Sequence, residues 1–458
     1  MATQPVFIER DTSSSSDDDN SMKPASYVSS YSSNSTESDP VKCYNKLKRQ
    51  GSRSSVVVNS TSGKFCTWLQ HKKHFFILSS AGKPVWTRYG DESRLSSFMG
   101  VIQAIISFFQ DSDDTIKTIN AGHHKFVFLL KEPLYFVSVS RTGESESQLR
   151  DQLLYLHNQI LSVLTSVQLT RIFEQRVNFD LRRLLGGTEV FLDSLSTLFN
   201  NDHSFMLSGL QCLRLNRTVR DQAGGILTDG KVKNLLYAMV VADGKLVTLL
   251  RPRKHSLHPS DLHLLFNMLT GSTTFHTAES WTPLCLPKFN SRGFLHAYIC
   301  YIEQGVSIVV ISTDKGNFFE ISEWKTTLVE QMEKNNVLAS IKEASDKLYM
   351  VEEIQIPSLL HFMYKSKIHV QFTTPGFSGP YVHDNYISIM HSRARPLKLY
   401  YVNSDKEILL GWITSSFELY VVFPSDTPKP LIISSSNQLL RWIKKNEENL
   451  FILNSPVF

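Results

Sequence analysis

The chain has 458 residues, 41% of them hydrophobic and 20% charged, with a formal net charge of +5. That length suits about three domains, each with enough apolar residues for a core, and so thin a charge calls for no nucleic-acid partner. The five cysteines (Cys43, Cys66, Cys212, Cys285, Cys300) are odd in number and lack CxxC spacing, so reduced structural thiols are expected and not a disulfide frame or zinc site.

No basic-then-apolar leader pattern is seen at the N-terminus, and the best apolar run, VSIVVI (306–311), is strand-sized. Any membrane association is therefore expected to be peripheral. The glycosylation triplets at Asn34, Asn59 and Asn216 read as chance.

Residues 1–62 are rich in serine and asparagine, too poor in large apolar side chains to offset their ordering entropy, and are expected to form a disordered tail. The run SSSSDDD (13–19) and the acids Glu37 and Asp39 precede a basic stretch of Lys42, Lys46, Lys48, Arg49 and Arg53. Such a split describes either a solvated tail or a phosphorylatable regulatory arm whose basic half meets anionic lipid.

The first folded unit, 63–190, opens on a hairpin, HFFILSSAGKPVWTRYG (74–90), turning at Ala81-Gly82. Asp91 is placed as N-cap of a helix in which Leu95, Phe98, Met99, Ile102, Ile105, Ile106 and Phe109 follow helical spacing. Val101 and Phe108 widen that stripe, as in a helix packed both on its own sheet and on a second subunit. Strands are expected at 116–120, 125–130 and 134–140, then helices at 145–167 and 170–185, the last stopped by Gly186-Gly187.

The order recurs in the second unit, 191–350. A hairpin, LLYAMVVADGKLVTLLRP (235–252), leads to a helix begun by Pro259, to strands at 282–286, 294–301 and 307–312, and to a helix at 322–334. In the third, 351–458, a hairpin at 359–375 precedes a short helix near 385–392. Strands at 397–402, 408–413 and 417–423 and a helix at 436–446 follow. The fold class is α/β (α+β): three units, each a five-stranded, mainly antiparallel sheet flanked by helices.

Candidate chemistry is sparse. GILTDGKV (225–232) matches part of a phosphate-binding loop. A polar stretch precedes it, however, and Val232 stands where a magnesium-binding hydroxyl belongs, so a linker turn is expected. His258, His263, His296 and His361 lack metal spacing, and no GxSxG or HExxH occurs. No cofactor and no covalent catalysis are expected. In WTPLCLPKF (281–289), Pro283 and Pro287 suit an edge strand. Trp281 there belongs to the core, or joins Leu284 and Leu286 in an exposed patch for a partner. The loop RPRKH (251–255) is either a solvated turn or a phosphoinositide contact made by Arg251, Arg253 and Lys254.

Five stretches carry a resemblance: AGKPVWTRYG (81–90), NFDLRRLLGG (178–187), LHPSDLHLLFN (257–267), ESWTPLCLPKFN (279–290) and RWIKKNEENLFIL (441–453). They resemble the signatures of the SAND family, the Mon subunits of Mon–Ccz complexes, from about Phe65 to the last residues. The resemblance implies three longin domains and guanine-nucleotide exchange on the late-endosomal (vacuolar) Rab GTPase, supporting Rab conversion, vesicle fusion and autophagosome maturation. It implies an obligate heterodimer with a Ccz-type triple-longin subunit, joined in animals by a third, propeller-bearing subunit. Recruitment would involve the early-endosomal Rab and phosphatidylinositol 3-phosphate, placing a cytoplasmic protein peripherally on endosome and late endosome/lysosome (vacuole) membranes. In the family the first longin domains form the GTPase platform, which here matches the first hairpin and helix. The expected contacts are Lys83 and Arg88 toward acidic or backbone oxygens, Trp86, Tyr89 and Met99 as apolar area, and Ser96 beside them. The Trp281 patch would receive the recruiting Rab. The competing class is a longin-scaffold adaptor or tether that binds an active Rab without exchanging its nucleotide.

Overall fold

A computed structural model describes residues 70–90, 95–230, 232–376 and 398–458. The expected tail, the Asp91 cap, Lys231 and the helix near 385–392 lie outside the described residues.

Runs of β-branched and aromatic residues form the strands, and the sheets repeat one order. The first contains β1 (Lys73–Ser79), β2 (Pro84–Thr87), β3 (Thr118–Ala121), β4 (His124–Lys131) and β5 (Leu134–Ser140), arranged β2-β1-β5-β4-β3. A two-residue β6 (Leu210–Gln211) follows. The second sheet holds β7 (Leu235–Ala242), β8 (Lys245–Leu250), β9 (Ser280–Leu286), β10 (Ser291–Glu303) and β11 (Val306–Ser312) as β8-β7-β11-β10-β9. The third uses β12 (His361–Ser366), β13 (Gln371–Thr373), β14 (Leu399–Asn403), β15 (Glu407–Ile413) and β16 (Phe417–Pro424) as β13-β12-β16-β15-β14. In each sheet the last strand in sequence takes the centre. Helices cover both its faces, so β5 and β11 are buried at every position and alternation disappears. The Asp243-Gly244 turn joins β7 to β8 with positive φ at both residues (45° and 71°), the geometry that suits the twist of a tight hairpin.

Nine helices of at least ten residues occur among the described residues. They are α1 (Ser96–Gln110), α2 (Glu146–Val163), α3 (Ser166–Gln175), α4 (Glu189–Asn201), α5 (Arg217–Thr228), α6 (Pro259–Gly271), α7 (Phe318–Lys334), α8 (Val337–Asp346) and α9 (Lys429–Lys445). Ser145 and Gln148 form a capping box at α2, and Pro259 occupies the first turn of α6 as expected.

Several expectations change. The helices expected at 145–167 and 170–185 are divided elsewhere, because Thr165 is extended and caps α3, which stops at Gln175. The expected linker turn before Gly230 is mostly α5: Val219, Ala223, Ile226 and Leu227 recur at helical spacing and pack against the second sheet. The third sheet has six strands among the described residues, since β6 pairs in parallel with β13.

Helix α6 is the joint between the first and second sheets. It is buried all round, and its polar groups are bonded across the joint. His263 Nε2 lies 3.0 Å from the Gly209 carbonyl, which can only accept, so that nitrogen carries the proton and Nδ1 accepts from the Tyr155 hydroxyl at 2.9 Å. Burial pushes the His263 pKa down and favours this neutral form. Asn267 Nδ2 donates to Gln159 Oε1 and to the Phe191 carbonyl, both at 2.9 Å, tying α6 to α2 and to α4.

Asp261, fully buried, accepts from the backbone N–H groups of Lys288 (3.0 Å) and Phe289 (2.9 Å), linking the stretches 257–267 and 279–290. Burial raises its pKa from 3.8 to about 6, against the pull of those two donors. A raised carboxyl binds its proton more tightly when folded, so its contribution to stability is full below pH 3.8 and is lost as pH rises through 6. Buried His361, pushed down to about 4, acts in the opposite direction over the same range. The stability difference between the native chain and Asp261→Asn isolates the first effect. Urea titrations should show that difference falling by at most about 3 kcal/mol from pH 4 to 6. A flat difference would remove the assignment.

The second and third sheets are cross-braced. Leu210 donates to the Val370 carbonyl at 2.9 Å as β6 joins the third sheet. In return, the last residues run to the outer edge of β8, where Arg251 N–H donates to the Pro456 carbonyl at 3.1 Å and Phe458 N–H to the Arg251 carbonyl at 3.3 Å. Gln371 holds both ends of the crossing, bonding the N–H and the carbonyl of Ile452 and accepting from the Cys212 thiol.

Candidate partner-binding surfaces

The first hairpin and α1 form one surface whose residues divide by direction. Trp86, on β2, packs with its neighbour Val85 into the core of the first sheet and is 3% exposed. On α1, Met99 lies on the stripe facing the sheet and is fully buried with Ile102 and Ile106. The apolar contact area expected of Trp86 and Met99 is thus spent inside the fold.

Lys83 is exposed and donates to the Asn178 carbonyl at 2.6 Å, which explains why the stretches 81–90 and 178–187 go together. Arg88 pairs with Asp193 at 3.2 Å, donates to Thr197 at 2.7 Å and lies over the Tyr89 ring at 5.0 Å. Both Arg88 and Tyr89 are half-buried, and Ser96 is exposed at the start of α1. Two other side chains are more prominent: Val101 is 59% exposed and Phe108 69%. Seven residues apart, they share the outward face of α1, and the widened apolar stripe had signalled them.

A second surface lies at the outer edge of the second sheet. β9 is the edge strand its prolines call for, though Pro287 starts a single helical turn instead of extending it. Trp281 is half-buried, stacked on His296 (5.6 Å between centroids) and against Phe318 (6.2 Å), and its indole donates to the Lys315 carbonyl at 3.1 Å. Leu284 and Leu286 do not join it. A strand alternates its sides, so these even positions fall on the opposite face from Trp281 and are buried at 2% and 1% exposure. The neighbour that does complete the patch is Phe319, 81% exposed and in edge-to-face contact with Phe318.

The basic loop is a third surface. Arg251 is half-buried, and Arg253 and Lys254 are exposed. Lys288 stands close by, because the His255 and Phe289 rings pack at 6.2 Å. None of these four cations forms an ion pair among the described residues.

The chemistry-bearing alternatives lose their geometry. Gly225 sits inside α5, so no strand-loop-helix cradle exists there. Among the described residues no cluster of histidines, cysteines and acids could hold a metal, and no helix is long and apolar enough to cross a membrane.

Three family models match the chain: the first Longin domain of FUZ, MON1 and HPS1 over residues 73–195, the second over 233–330 and the third over 358–447. The chain is 43% identical over 406 residues to vacuolar fusion protein MON1 homolog A of Gallus gallus, covering 86% of this chain and 74% of that one. It is 42% identical over 401 residues to protein SAND of Takifugu rubripes (84% and 77% covered), and 38% identical over 417 residues to vacuolar fusion protein MON1 of Yarrowia lipolytica (85% and 76%). With this identity running through all three sheets, the chain belongs to the MON1/SAND family of triple-longin proteins.

Proposed function

We propose that this chain acts in vacuolar fusion trafficking as one subunit of a heterodimeric guanine-nucleotide exchange factor for the late-endosomal (vacuolar) Rab GTPase. The partner is a Ccz-type triple-longin subunit, with a propeller-bearing third subunit in animals. The observation that carries the proposal is the outward apolar ridge of α1, Val101 and Phe108, with Ser96 at the start of that helix and a hairpin bearing Lys83, Arg88 and Tyr89 beside it. An apolar ridge of this kind suits a subunit contact, and the polar hairpin beside it suits the GTPase. Exchange needs no bond chemistry. A surface that binds the nucleotide-free GTPase more tightly than the loaded form weakens nucleotide binding by the same factor.

Release of labelled nucleotide from that Rab, with and without the chain and its partner, tests the reading. Acceleration is expected, and unchanged release would overturn it. An adaptor or tether would instead bind the GTP-loaded Rab at least as well as the empty one.

The half-buried Trp281, with His296, Phe318 and Phe319 around it, supports a second contact, for the recruiting early-endosomal Rab. Trp281→Ala should weaken that contact by roughly tenfold or more, the usual effect of truncating an interface tryptophan. Vesicle-free exchange should stay near native. Equal binding by pull-down would remove Trp281 from the contact.

The loop cations Arg251, Arg253 and Lys254, which form no ion pair among the described residues, support contact with anionic lipid, phosphatidylinositol 3-phosphate included, and thus a peripheral place on endosomal and vacuolar membranes.

A further inference from the structure

The final residues bring apolar area to the basic loop. Backbone pairing of Arg251 with Pro456 and Phe458 fixes the last residues along the outer edge of β8, where the loop departs. Val457 and Phe458 are left 39% and 45% exposed there, paired with Arg251 at the start of the loop that carries the exposed Arg253 and Lys254. Lys288 adds a further cation. The nearest carboxylate on the adjoining helix, Asp261, has both oxygens on backbone N–H groups and is buried away from the surface.

We infer that Val457 and Phe458 are apolar anchors which, with the cations of the 251–255 loop, make one membrane-contact surface for an anionic bilayer. This rests on the lipid reading of the loop given above and extends it to residues outside the loop. Charge and apolarity together decide the occupant. A soluble phosphate would engage the cations and gain nothing from an exposed valine and phenylalanine. A bilayer takes the rings and methyls into its interface while its headgroups meet the cations.

Sedimentation of the full chain, with its partner subunit where the two purify together, tests the inference. The vesicles are phosphatidylcholine alone and phosphatidylcholine with phosphatidylserine. The native protein should favour the anionic vesicles. The double variant Val457→Ser/Phe458→Ser should bind them roughly tenfold more weakly while keeping the salt dependence. Arg253→Ala/Lys254→Ala should weaken binding by a similar factor or more and flatten the salt dependence. An unchanged melting temperature in each variant confirms that the fold is intact.

Native-like vesicle binding by the serine variant would overturn the anchors. If the alanine variant alone weakened, the loop reading would stand without them. If neither weakened, or the native protein ignored anionic vesicles, both readings would fall. Nucleotide release measured without vesicles tests the exchange reading separately.

Discussion

Arg220→Ala is expected to cost about 4 kcal/mol of stability, read as a fall of many degrees in the melting temperature. Arg220 is 4% exposed, and its guanidinium donates to three carbonyls: Val247 at 3.0 Å, Leu213 at 2.9 Å and Asn449 at 3.0 Å. These belong to β8, to the segment before α5, and to the chain beyond α9. One side chain on α5 therefore clamps the second sheet to the last segment of the third unit. Burial lowers its pKa, yet a guanidinium starts so high that it remains a cation. Alanine takes the guanidinium from all three carbonyls; Asn449 keeps the Leu215 N–H at 3.0 Å, while each acceptor left unsatisfied costs about 1 to 3 kcal/mol, with entering water recovering part of the loss. Lysine, with a single ammonium, cannot span the fork and should be intermediate. The neighbouring Arg217 pairs with Asp221 and Glu448 on the open surface, and its removal should leave the melting temperature near native. A native-like melt for Arg220→Ala would show that the clamp is not what holds the two sheets together.

The double variant Val101→Asp/Phe108→Asp is expected to lose at least a hundredfold in affinity for the longin partner while the isolated chain melts normally. Both side chains face solvent, so the charges meet water in the free protein and cost the fold little. In a complex each carboxylate would lie in a desolvated apolar contact, where central residues commonly carry 2 kcal/mol or more apiece. The buried neighbour Ile102 is the internal control: Ile102→Asp places a charge under α1 and should unfold the first unit instead. Titration calorimetry of partner binding distinguishes the two behaviours. Affinity within threefold of native for the double variant would remove the α1 ridge from the interface.

What was legible in the chain was whatever neighbouring residues decide. The 235–252 hairpin, Pro259 in the first turn of α6, the proline-marked edge at β9 and the helical stripe of α1 were all readable, because turn chemistry and periodicity act over a few residues. The same local logic could have separated Trp281 from Leu284 and Leu286, since odd and even positions of a strand face opposite ways. Helix α5 was harder. Gly224 and Gly225 weaken it locally, and it is held because Gly224 admits Pro456 so closely that a Cβ would lie 3.3 Å from that ring.

Direction and burial were decided by partners far along the chain. Whether Trp86 is contact or core, whether Arg88 is free or paired with Asp193, and why a guanidinium at 220 can be buried are questions about residues up to 229 positions away. A residue's type and the period it falls on are properties of its neighbourhood. The face it shows to solvent follows only when distant segments pack, because desolvation and hydrogen bonding depend on the neighbours that packing supplies.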